Sequence, residues 1–155
     1  MPTLTLTQRN FNTVITGNNI VLVDWWASWC GPCRHFAPIF ESSSDRHPDI
    51  VHAKVDTEAE TELSAAANIS ALPTLMAFRE GLMVYSEAGV PAPEKLEDLI
   101  QQVKWLDMDE LRREMNRQAD QQQVEAYSQS APTPGPSRQA GHAPAGTIQY
   151  GWPGL

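Results

Sequence analysis

Cys30 and Cys33 are the two cysteines of this chain, and their flanks restrict the fold more than any other feature of the sequence. Before them runs Ile20-Val21-Leu22-Val23-Asp24-Trp25-Trp26. An apolar run of this length without alternation reads as a strand covered on both faces, the central strand of an α/β sheet. After them, residues 34–44 read as a helix. The pair therefore falls where a strand hands over to a helix. A helix N-terminus carries free N–H groups and the positive end of the macrodipole, and both favour an anion. A thiolate is an anion, so Cys30 is expected to ionise more readily than a free cysteine. Gly31 permits a tight turn and a close backbone approach. Pro32 has no N–H and a fixed φ, which suits the first helical turn.

A Cys-x-x-Cys pair is also half of a structural zinc site, which wants four ligands. The chain has no second pair of this kind. His47 and His52 stand at the H-x4-H spacing of a ligand pair, while His35 and His142 have no such partner; the Gly31-Pro32 insert and the strand before the cysteines favour redox chemistry over zinc. The redox reading is therefore the one carried forward. Asp24, Trp26, Ala27 and the run Trp29-Cys30-Gly31-Pro32-Cys33 together resemble the active-site segment of the thioredoxin family, and the resemblance extends over about residues 2 to 103.

The rest of the chain supplies the matching elements. Residues 3–6 alternate as a short edge strand. Thr7 is placed to cap a helix reaching about Thr16, with Phe11, Val14 and Ile15 on one face. Gly17-Asn18-Asn19 ends it. The second helix contains Pro38, expected to kink it by removing one hydrogen bond. Residues 50–55 form a further strand, so 20–55 is a βαβ unit. Thr57-Glu58-Ala59-Glu60 matches a capping box and predicts a helix from there to about Ala67. Residues 74–78 and 82–85 flank the turn Arg79-Glu80-Gly81 and read as a β-hairpin. Leu96, Leu99, Ile100 and Val103 recur at helical spacing. The order βαβαβαββα is that of the thioredoxin fold, so the expectation is a mixed four- to five-stranded sheet flanked by helices.

Beyond 106 the composition changes. Residues 107–127 carry helix formers but a thin apolar stripe of Met108, Leu111, Met115 and Ala119, so a frayed helical extension is expected. Residues 128–155 contain Pro132, Pro134, Pro136, Pro144 and Pro153 and a comparable scatter of glycine. That composition reads as a disordered tail. The domain plan is thus 1–106, 107–127 and 128–155. The segment Ile148-Gln149-Tyr150-Gly151-Trp152-Pro153-Gly154-Leu155 reads either as a docking motif or as part of a solvated tail.

Charge narrows the partners. Eleven basic residues stand against 19 acidic ones, a formal net charge of −8. Nucleic-acid binding draws most of its affinity from neutralising phosphates, so nucleic acid is not an expected partner. The N-terminal residues lack a basic and then apolar leader pattern, and no run of about 18 apolar residues suggests a membrane span. A cytoplasmic location is the default, and it suits a cysteine pair that must be kept reducible.

The resemblance implies roles. Cys30 would be the nucleophile, the more exposed of the pair, and Cys33 the buried resolving cysteine. Asp24 would be the buried aspartate that takes or supplies the proton of Cys33. On position alone Asp24 reads equally as a strand-end carboxylate facing water. Lys54 matches a supporting lysine near that aspartate. Pro73 falls where the family has a cis-proline, which would leave the backbone of Leu72 free to pair with an extended substrate. Trp29, Gly31, Pro32, Ala71, Leu72, Gly89 and Val90 would complete an apolar docking rim. His35 departs from the family's usual apolar residue; it either favours the Cys30 thiolate or faces solvent. Further implications are a protein-disulfide reductase with no bound cofactor or metal, fed by NADPH through a flavin-dependent thioredoxin reductase, acting on disulfide-containing client proteins as a monomer. The rival from another class is a thioredoxin-like binding or holdase module whose tail recruits partners.

Overall fold

The structure is a computed structural model that describes residues 3–132. Contacts divide the chain between Asp107 and Met108, and the two units are taken separately. In the first, the elements follow as β1 (Leu4–Thr5), α1 (Phe11–Gly17), β2 (Ile20–Trp26), α2 (Gly31–Arg46), β3 (Val51–Asp56), α3 (Thr61–Ala66), β4 (Thr74–Arg79), β5 (Leu82–Ala88) and α4 (Pro93–Lys104). The strands form one five-stranded sheet in the order β1-β3-β2-β4-β5. β1, β3 and β2 run parallel, while β4 is antiparallel to both β2 and β5. The expected βαβ unit and the hairpin are both present.

Alternation along β2 sorts the core into two layers. Ile20 and Leu22 face Phe36 and Phe40 of α2 and Leu96, Leu99, Ile100 and Val103 of α4. Val21, Val23 and Trp25 face the other side, with Leu6, Ile15, Val55 and Met76. Phe11 closes that layer, its ring 6.0 Å from those of both Trp25 and Phe78. β2 is thus buried on both faces, as its unbroken apolar run demands.

Two helix starts differ from the expectation. Thr7 does not cap α1. Its carbonyl accepts from the N–H groups of Asn10 and Phe11, and the Asn10 side chain accepts from the Thr7 N–H at 2.7 Å. The segment is a turn, and α1 starts at Phe11. The capping box at Thr57 does not form either. Thr57 Oγ1 donates to the Trp26 carbonyl at 3.1 Å, and Asp56 Oδ1 accepts from the Glu58 N–H at 2.9 Å. α3 begins only at Thr61. In both places a nearby partner competes successfully with the local helix cap. Pro38 lies inside α2 without ending it.

In the second unit, α5 runs Met108–Ser130 as one unbroken helix, three residues past the expected end at 127. Of its side chains Met108 is buried, while Met115, Val124 and Tyr127 are exposed. Arg113 pairs with Glu110, and Arg117 with Glu110 and Glu114. The two pairs spaced three residues apart are of the kind that supports an exposed helix weakly. The expected tail from 133 onward, with its candidate docking segment 148–155, lies outside the described residues. No helix among the described residues is long and apolar enough to cross a membrane.

Candidate active site

β2 ends at Trp26, and the four residues before α2 bring the cysteines to the end of the sheet. Cys30 and Cys33 are joined as a disulfide, with Cα atoms 5.3 Å apart. Cys30 is the N-cap of α2, and its Sγ accepts a hydrogen bond from the Cys33 N–H at 3.2 Å. The helix start expected beside the pair is therefore capped by sulfur itself. Pro32 sits in the first turn of α2, where its missing N–H costs nothing. A Cβ built on Gly31 meets no atom within 4 Å. The chain's own packing does not require glycine there, and the space above it is open.

The expected difference in exposure between the cysteines is absent. Both are 4% exposed. Both belong to one buried cluster with Ala27, against which Trp26 and Leu72 pack. What separates the two is the N-cap position, not burial.

Asp24 lies in mid-strand, 1% exposed. Alternation puts it on the sheet face that α2 covers, together with Ile20, Leu22 and Trp26. Its register partners are Lys54 on β3 and Leu75 on β4. Neither carboxylate oxygen has a hydrogen-bond partner. Burial pushes its pKa up from 3.8 to about 7, and the positive charge of Lys54 opposes that rise. The water-facing alternative for Asp24 is thereby excluded. Lys54 is half-buried, with Nζ 5.3 Å from the centroid of the Trp26 ring. It lines a cleft of about 230 Å³ with Trp26, Ser28, Cys33, Arg34 and Ala37. Arg34 was not among the expected site residues; its place directly after Cys33 in the first turns of the helix was the available signal.

The Leu72–Pro73 peptide is cis, and Pro73 is buried. Among the described residues, the Leu72 N–H and carbonyl make no hydrogen bond. The Gly89 N–H donates to the Pro73 carbonyl at 2.8 Å, which ties the Gly89-Val90 loop to the proline turn. Gly89 has φ of +105°, a conformation that favours glycine. Trp29 is 66% exposed, so it is not a core residue. It lines a cleft of about 440 Å³ with Thr57, Thr61, Ile69, Ala71 and Leu72. Thr57, Thr61 and Ile69 had no sequence signal for this cleft, because only folding brings α3 and its flanking residues beside Trp29. Gly89 and Val90 line a separate hollow with Tyr85, Glu87 and Lys95. Of the expected rim, Trp29, Ala71 and Leu72 line one hollow, and Gly89 and Val90 another. His35 is exposed on α2.

Comparison with known proteins agrees with this geometry. The family model described as Thioredoxin matches residues 2–104. A Streptomyces coelicolor protein that carries the name thioredoxin 2 is 45% identical over 119 residues, covering 77% of this chain and 89% of that protein. Thioredoxin of Alicyclobacillus acidocaldarius is 41% identical over 96 residues, 61% of this chain and 91% of that one. Among solved structures, a mutant thioredoxin from Halobacterium salinarum superposes with a TM-score of 0.63 at 32% identity, covering 66% of this chain and 91% of that chain. With a Cys-x-x-Cys disulfide at the cap of its second helix and a family match across its whole sheet unit, the chain belongs to the thioredoxin family of disulfide oxidoreductases.

Proposed function

We propose that the chain reduces disulfides in client proteins through a mixed disulfide on Cys30. The observation that carries this reading is the placement of Cys30 Sγ as the acceptor at the N-cap of α2. In the dithiol form, the same N–H group and the helix dipole would hold a thiolate there. That thiolate attacks one sulfur of the client disulfide, and the other client sulfur leaves as a thiolate. Cys33 then gives its proton to the Asp24 carboxylate and attacks Cys30 Sγ. The Cys30–Cys33 disulfide forms, the second client sulfur leaves as a thiolate, and the client thiolates take up protons from water. Two electrons pass from protein to client. Asp24 is suited to the proton role because its pKa, about 7, lies near neutrality. Lys54 supports it as the nearest positive charge in register.

The unpaired backbone of Leu72 offers an edge for a client segment to add as a strand. Trp29, Gly31, Pro32, Ala71, Pro73, Gly89 and Val90 surround that edge. In this reading the chain carries no cofactor of its own, works as a monomer in the cytoplasm, and draws electrons from NADPH through a flavin-dependent thioredoxin reductase. The test is insulin reduction coupled to such a reductase. NADPH consumption that depends on both this chain and insulin is expected. No insulin reduction, even with the chain pre-reduced by dithiothreitol, would overturn the reading.

A further inference from the structure

The cleft beside Cys33 holds two cations that no carboxylate neutralises by contact. Arg34 is exposed, and its Nη2 donates to the Ser28 carbonyl at 3.0 Å, which anchors the guanidinium at the rim and leaves its other N–H groups free. Lys54 is held over the Trp26 ring. Among the described residues neither forms an ion pair. Elsewhere in the same unit Arg46 and His47 pair with Glu97, Lys95 with Glu87 and Lys104 with Asp49, while Arg79 is taken up by carbonyls at the end of α4; what sets Arg34 and Lys54 apart is that they share one cleft. In a chain with 19 acidic residues against 11 basic ones, two unpaired cations lining one small cleft form a local reversal of sign. Asp24 is in register with Lys54 and feels its charge, but it is buried, makes no hydrogen bond and is only partly ionised near neutrality, so it offsets Lys54 in part and leaves Arg34 untouched.

We infer that this cleft, between Arg34 and Lys54 and bounded by Cys33, is an anion subsite that receives an acidic side chain of the client next to its reactive cysteine. The inference rests on the reductase reading above and specifies its substrates. The cleft's volume, about 230 Å³, accommodates a single side chain. Arginine's planar fork is suited to a carboxylate, and the adjoining lysine adds charge without demanding one geometry. Cys33 borders the cleft and is bonded to Cys30, so a side chain held there lies next to the cysteine pair. An acidic client would meet repulsion over most of this protein and attraction at this site, which makes the cleft a register device as well as a source of rate.

The test uses the full chain, reduced by dithiothreitol, and three synthetic disulfide peptides that differ at one position beside the reactive cysteine: Glu, Gln or Lys. Rates are read as second-order constants at low salt and again at about 0.5 M, where the Debye length is only a few Å. The Glu peptide is expected to outpace the Lys peptide by about tenfold at low salt, with most of that ratio lost at high salt. The readout for variants is the Glu-to-Lys ratio within each protein, so a general effect on thiol chemistry cancels. Arg34→Gln should bring the ratio to near unity, Arg34→Glu should invert it, and Arg34→Lys should restore much of it. Equal rates for all three peptides would overturn the subsite and leave the reductase reading intact. A ratio unchanged in Arg34→Gln would also overturn it, as the discrimination would then lie elsewhere. Failure to reduce any peptide would instead refute the reductase reading on which the subsite depends.

Discussion

Asp24 is the residue whose energetics are most legible. Its carboxyl is desolvated without a compensating hydrogen bond, so the folded state prefers it protonated. The folded pKa, about 7, lies above the ordinary 3.8. Between these values the folded chain holds a proton that the unfolded chain has released, so stability falls as pH rises across that window. Below about pH 4 both states are protonated and no penalty applies; above about pH 7 it is complete. About three pKa units correspond to on the order of 4 kcal/mol as an upper bound. Asp24→Asn should therefore match the parent's stability near pH 4 and exceed it increasingly up to pH 7, with a plateau beyond. Reduction of insulin near neutrality should slow in the same variant. Urea melts at several pH values together with that assay check both halves; a destabilised variant with full activity would contradict them. The cysteine roles are tested separately. Since burial does not distinguish the pair, the N-cap position alone predicts that Cys33→Ser traps clients on Cys30, whereas Cys30→Ser forms no adduct. Mass spectrometry locates the adduct.

At the level of elements, the sequence was most legible where one residue pattern has one outcome. The apolar run at 20–26 had to be a doubly covered strand, and it is. The helix faces in α2 and α4 follow from Phe36 and Phe40 and from Leu96, Leu99, Ile100 and Val103. Legibility failed where a side chain had two competing partners. Thr57 could cap a helix or bond the Trp26 carbonyl, and the carbonyl lies 31 residues away in sequence. The burial of Cys30 was missed for a similar reason, since Leu72 reaches the cysteine cluster only after folding. The cis peptide before Pro73 was expected from the family likeness alone. Arg79 at the end of β4 is another contact that sequence does not disclose. Its Nη1 donates to the Val103 carbonyl at 2.6 Å and the Lys104 carbonyl at 3.1 Å. These are carbonyls at the C-terminus of α4, which a cation there stabilises. Arg79→Met should cost about 1.5–3 kcal/mol, the range for charged hydrogen bonds, and should raise amide exchange in the last turn of α4. Exchange spread evenly over the domain would show that Arg79 does not act as a local clamp.

For the whole molecule, the question is how much of the chain the chemistry needs. Every residue in the three core clusters stands at or before Val103, and every proposed site residue stands at or before Val90. The family match ends at 104, and the first compact unit ends at Asp107. In α5, Met108 is the buried apolar side chain, and the exposed Met115, Val124 and Tyr127 contribute little to any core. Burying one methionine is worth about 1.5–3 kcal/mol, small beside the transfer free energy of the sheet unit's two apolar layers. Truncation after Asp107 should therefore leave a folded protein, with a stability loss no greater than about 3 kcal/mol and insulin reduction within about twofold of the full chain, under about half a kcal/mol in barrier. Calorimetry and the coupled assay read both quantities on the same sample. A truncated chain that fails to fold would move the domain boundary beyond Met108. A folded chain with sharply higher activity would assign residues 108–155 an inhibitory role, and one with sharply lower activity would place part of the client site among them.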